Sequence, residues 1–126
     1  MSQDRISCIQ QQLQKYFDGL YLSDVALLKQ VFHADAVYLC VTEQPVLQLS
    51  MAEYFPIVEQ RISPASKKQL RQDKIISINL LNDTMAMVHV QCAIAPKYFY
   101  DALTFVAVNG EWKIISKVFH YELVVD

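Results

Sequence analysis

The chain reads as an α+β domain in which three N-terminal helices pack on a curved antiparallel sheet. Two observations predict it. Apolar residues recur at helical spacing as far as Ile62, and after Asp73 the pattern changes to long β-prone runs separated by short turns. At 126 residues the chain has the size of a single domain spanning 1–126, long enough to close its own core.

The elements follow in order. Ile6, Ile9, Leu13, Tyr16 or Phe17, and Leu20 form the apolar stripe of a first helix, with Gly19 near its end. Ser23 or Asp24 can cap a second helix with the face Leu27, Leu28, Val31 and Phe32, ending at His33 to Asp35. Short strands are expected at Ala36 to Val41 and around Val46 to Leu49. Ser50-Met51-Ala52-Glu53 is a capping box that opens a third helix, with Pro56 either kinking it or marking its true start. Four strands then form a meander: Lys74 to Leu81, Thr84 to Ala95, Lys97 to Val108 and Glu111 to Val124. The last two are joined by Asn109-Gly110, a pair suited to the positive φ of a two-residue hairpin turn.

Composition narrows the function. Hydrophobic residues make up 53% of the chain and mean hydropathy is +0.17. No run approaches the roughly 20 apolar residues of a membrane span, so the surplus points to a ligand cavity and a subunit interface. A net charge of −2 carries no footprint for nucleic acid. The basic group Lys67, Lys68, Arg71 and Lys74 reads as a solvated loop, the alternative being a contact for phosphate or another anion. Cys8, Cys40 and Cys92 form no paired motif and the start shows no signal-peptide pattern, so a cytoplasmic location is expected.

The turn at Asn109-Gly110 sets the register of the last hairpin, if no bulge intervenes. One face then collects Phe99, Asp101, Leu103, Phe105 and Ala107, with Trp112, Ile114, Ser116, Val118 and His120 across from them. This face should meet the helices. Asp101 and His120 become diagonal neighbours on it, and an aspartate among Phe99, Leu103 and Phe105 needs a partner. They make either a structural hydrogen bond or the polar end of an apolar site. The opposite face, with Tyr98, Tyr100, Lys113, Lys117, Phe119 and Tyr121, is expected to form a homodimer interface. In the preceding strand Ala86, Val88, Val90 and Cys92 should point inward, and Met85, Met87, His89 and Gln91 outward.

The run from Lys15-Tyr16-Phe17-Asp18-Gly19-Leu20 through Ser23-Asp24, Phe32-His33-Ala34-Asp35-Ala36 and Asn109-Gly110-Glu111-Trp112-Lys113-Ile114 resembles the nuclear transport factor 2-like, or SnoaL-like, superfamily. Tyr100-Asp101-Ala102-Leu103-Thr104 followed by Lys117-Val118-Phe119 is similar to its lumazine-binding-like subgroup. The resemblance implies a cone-shaped, cystatin-like α+β fold around a pocket. That fold hosts enzymes, binding proteins and assembly domains alike. The helix-one tyrosine of the superfamily's ketosteroid isomerases matches Tyr16, but their catalytic aspartate falls on Cys40. A thiol mostly protonated near neutrality does not replace that base.

The candidate ligand-binding residues are therefore Tyr16, His33, Tyr38, Tyr54 and Phe55 from the first half of the chain. Phe99, Asp101, Phe105, Trp112, Ser116 and His120 complete the set. No cofactor and no metal site are expected, since the three histidines lack ligand spacing. The leading expectation is a small-molecule-binding homodimer. One alternative is a cofactor-independent lyase, isomerase or hydrolase with Asp101 or His120 as base and Tyr16 as hydrogen-bond donor. The other is an assembly module whose pocket is filled by its own side chains.

Overall fold

A computed structural model describes residues 2–124. Helix α1 (Ser2–Leu22) buries Ile9, Leu13, Tyr16, Phe17 and Leu20. Asp24 accepts a hydrogen bond from the Leu27 N–H and caps α2 (Val25–Val31). The two helices touch at Gly19, where a methyl group would lie 2.6 Å from Leu28 Cδ2 and 2.8 Å from its Cγ. Gly19→Ala gains about 1 kcal/mol of helix propensity but overpacks a fully buried leucine, which typically costs about 1–3 kcal/mol. A net loss of stability is expected in urea unfolding. An equal or more stable variant would show that α2 can yield.

α2 stops at Val31, earlier than the expected end at His33 to Asp35, because Phe32 has already turned extended with φ −86° and ψ 135°. Strand β1 (Phe32–Cys40) starts there, and β2 (Leu47–Leu49) folds back on it. The capping box opens α3 (Met51–Gln60): Ser50 Oγ accepts from the Glu53 N–H and Glu53 accepts from the Ser50 N–H. Pro56 lies inside this helix on its exposed side, where solvent can serve the carbonyl that proline leaves without a donor.

Strands β3 (Lys74–Leu80), β4 (Met85–Ile94), β5 (Lys97–Val108) and β6 (Glu111–Leu123) form the meander. The sheet has the order β2-β1-β6-β5-β4-β3 and is not wholly antiparallel, since β1 runs parallel to β6. The turn works as its sequence predicts, with φ 53° at Asn109 and 79° at Gly110. Ala86, Val88, Val90 and Cys92 are buried, while Met85 and Met87 are exposed on the other face.

The register of the last hairpin changes partway along. Val108–Glu111 to Phe105–Ile114 pair as the turn dictates, but the next pair is Thr104–Ser116. Ile115 has no partner on β5 and forms a β-bulge, which exchanges the faces of everything after it in β6. Lys117 and Phe119 are buried inward, and His120 is exposed outward. The inward placement expected for Ser116, Val118 and His120 is therefore corrected, as is the outward one for Lys117, Phe119 and Tyr121.

Deleting Ile115 should keep the fold, because the pairs from Thr104–Ser116 onward need no bulge. A loss of about 1–2 kcal/mol is expected for the half-buried side chain, read from a thermal melt. If the hairpin were regular, the same deletion would turn the remaining core side chains of β6 to solvent and abolish folding.

Candidate functional site

The helices cover the concave face of the sheet, and the polar groups sealed between them come from α1, β5 and β6. Asp101 is 1% exposed. The Tyr16 hydroxyl donates to its Oδ2 at 2.5 Å, while Oδ1 is buried with no hydrogen-bond partner. Burial, followed by the neighbouring Asp101 charge, holds the Tyr16 phenol well above its ordinary pKa of 10.0. The inward aspartate thus has a tyrosine partner from helix one, not the histidine expected from β6.

Lys117 occupies the interior in place of His120. It is 4% exposed, and its Nζ lies over four rings: Phe119 at 4.9 Å, Tyr16 at 5.1 Å, Tyr38 at 5.4 Å and Tyr54 at 5.9 Å. Ring faces attract a desolvated ammonium group, but they supply no hydrogen-bond acceptor of ordinary strength. Lys117 makes no hydrogen bond or ion pair among the described residues. Lysine is rarely this buried without a partner.

The rings form a continuous wall. Tyr38 lies 4.6 Å from Tyr54 and 4.9 Å from Phe119, centroid to centroid, and Phe99 lies 5.7 Å from Phe119. Inside it is a cavity of about 20 Å³ lined by Leu20, Tyr38, Tyr54, Arg61, Cys92, Ile94, Phe99 and Lys117. That is room for about one water molecule. Two larger recesses adjoin it at the end of α3. One of about 250 Å³ includes Pro64, Lys67, Ile94 and Lys97, and one of about 110 Å³ includes Cys40, Glu43, Lys97 and Tyr121. Arg61 and Phe99 border all three spaces and partition them.

Burial raises the ionisable groups of this interior. It pushes Tyr38 up to about 12, opposed by the Lys117 and Arg61 cations, and raises Tyr54 well above its ordinary range. The Cys92 thiol rises to about 12, through burial first and the Asp101 charge second.

The other expected site residues are dispersed. His33 sits in an excursion of β1, where four residues between Phe32 and Val37 oppose a single position of β6. Its Nδ1 accepts from the Asp35 N–H at 3.0 Å, and it does not line the interior. Phe55 packs against Phe32 and Tyr54, and Phe105 is fully buried in solid core. Trp112 borders a separate recess of about 290 Å³ between α1 and the β5–β6 turn, where Gln12 and Lys113 already bond backbone carbonyls. Ser116 lies on the outer face opposite Thr104. His120 contacts Thr42 Oγ1 at 2.9 Å on that side. Asp101 and His120 therefore do not form a base pair. Lys117, Arg61 and Cys92 line the inner cavity; the sequence analysis points Cys92 inward without placing it at a site, and it leaves Lys117 and Arg61 out. Lys117 was hidden by the bulge, and Arg61 by its place at the end of a helix.

A family model described as "Putative lumazine-binding" matches residues 4–120. The chain belongs to this family. Its fold is that of the nuclear transport factor 2-like superfamily. A protein of this fold from Silicibacter pomeroyi, of unknown function, superposes with a TM-score of 0.86 at 22% identity, covering 97% of this chain and 99% of that one. One from Shewanella baltica, also of unknown function, gives 0.85 at 18% identity and 97% of both chains. A cystatin-like-fold domain from Nostoc punctiforme gives 0.74 at 12% identity, covering 94% of this chain and 78% of that one. No curated protein matches the chain. Among the described residues no helix of this family member is long and apolar enough to cross a membrane, and no cluster of metal-ligating side chains occurs.

Proposed function

We propose that this domain binds a small planar molecule at the open end of its cone, with the ligand's polar edge directed at Lys117. The buried lysine carries the reading: it stands among aromatic rings, faces the inner cavity and lacks a hydrogen-bonding partner. Aromatic walls with a few convergent polar groups are the usual make-up of a ligand site. The closed interior is too small for a ring, so Phe99 and Arg61 must swing aside to join it to the outer recesses. Joined, those recesses reach the roughly 300–1,000 Å³ of typical ligand pockets. The family description supplies a first probe, lumazine, a flat heteroaromatic dione. Binding without turnover is favoured because, among the described residues, no histidine and no carboxylate lines the inner cavity, and Asp101 buried nearby accepts from Tyr16.

Titration with lumazine, followed by its own fluorescence, should saturate for the native protein. Ile94→Trp, which fills the entrance, should abolish saturation without unfolding the chain. If lumazine, benzamide and benzoate all fail to bind, the near-filled interior identifies the domain as an assembly module instead.

Pairing of two copies through the outer sheet face belongs to the same proposal. After the bulge that face still presents Met87, Tyr98 and Tyr100, joined by Val118 and His120. Light scattering should give twice the 14.5 kDa of one chain, and a monomer across the concentration range would refute the pairing.

A further inference from the structure

The polar side-chain groups on the inner wall share one property: they give hydrogen bonds. Tyr38 and Tyr54 bring hydroxyls, Arg61 a guanidinium and Lys117 an ammonium. None of these four groups has a hydrogen bond or ion pair among the described residues. Phenols and thiols are protonated at neutral pH, and burial raises both phenols and the Cys92 thiol further, so the wall does not supply its own anion. Three carboxylates lie close by, and none is on the inner cavity wall. Asp101 takes one bond at Oδ2 from Tyr16 and leaves Oδ1 unpartnered, Asp73 is paired with Arg71, and Glu43 at the rim accepts from the Tyr121 hydroxyl at 2.5 Å. Lys67 and Lys97 extend the positive charge along the outer recesses.

Lys117 is nearly sealed beside the half-buried Arg61, and a desolvated cation is costly unless an anion joins it. On the reading that the cone holds a small molecule, we infer that its occupant is an organic acid: a carboxylate carried on a planar, aromatic body. The carboxylate turns inward between Lys117 and Arg61, within reach of the Tyr38 and Tyr54 hydroxyls. The ring stacks outward against Phe99 and Ile94. Arginine matches a carboxylate with paired N–H donors, and hydrogen bonds between charged groups are about twice as strong as neutral ones. Before the side chains move, the space at Lys117 is about 20 Å³, so a flat carboxylate displaces less of the wall than a tetrahedral phosphoryl group.

Calorimetric titration of the full chain at neutral pH and low salt tests the assignment with three probes of one ring: benzoate, benzamide and phenylphosphonate. Benzoate is expected to bind at least about tenfold more tightly than either of the others, since one charge-assisted pair contributes that much. Lys117→Met and Arg61→Gln should each bring benzoate to within about threefold of benzamide, the step expected when a charged pair is lost. Melting curves establish that the variants are folded. If Lys117→Met does not fold, Arg61→Gln, on the half-exposed end of α3, decides alone. Equal binding of benzoate and benzamide overturns the acid while leaving the pocket intact. Tighter binding of phenylphosphonate overturns the carboxylate, and discrimination that survives both substitutions removes these two cations from the site. No binding of any probe, lumazine included, ends both the pocket and the acid.

Discussion

Tyr16→Phe should lower stability by about 2–4 kcal/mol, because it strips the buried Asp101 carboxyl of its one hydrogen bond and puts nothing in its place. The change is one oxygen atom, and the ring that packs against Phe17 and Phe32 stays. Asp101→Leu is the informative companion. Alone it leaves the Tyr16 hydroxyl unpaired in the core, a loss of about 1–3 kcal/mol. Combined with Tyr16→Phe it removes both polar groups, and the double variant should lie within about 1 kcal/mol of the parent. Urea unfolding of the four proteins measures the coupling. Losses that simply add would mean that the two groups do not depend on each other.

The second large effect is alkaline. The unfolded chain releases its thiol protons near pH 9 and its phenol protons near pH 10, whereas Tyr16, Tyr38, Tyr54 and Cys92 keep theirs to higher pH when folded. Between those limits the native state holds more protons than the unfolded one, so stability is full below about pH 9 and falls as pH rises. Each group fully within its window contributes a slope of about 1.4 kcal/mol per pH unit. Denaturant midpoints should therefore stay level from pH 7 to 9 and collapse between pH 10 and 12. A gentle decline through that range would mean that the phenols reach water in the native state.

Much of the architecture was legible because local chemistry dictates it. Asn109-Gly110 makes its turn, Ser50 and Glu53 make their reciprocal cap, and the alternation in β4 sorts buried from exposed residues. Asp101 was placed inward correctly because β5 itself is regular, and Tyr16 followed from the stripe of α1. The bulge was not legible. Ile115 is a strand-forming residue with no glycine beside it, and it is set aside only because β6 must pair with β1 and β5 at once. That single displacement brings Lys117 inside and sends His120 out, while Asp101, ahead of it on β5, keeps its inward side. The four-residue excursion of β1, which carries His33 away, has the same origin.

The place of β6 between β1 and β5 has a consequence for how the domain comes into being. Without it, β2 and β1 form one fragment of sheet and β5, β4 and β3 another, with no ladder between them. Among the described elements the joining strand leaves the ribosome last, so the β1–β2 part of the sheet stays separate from the β3–β5 part until β6 arrives. Acquisition of the native state should wait on the pairing of β6 with β1, which joins distant parts of the chain, a kind of contact that slows folding.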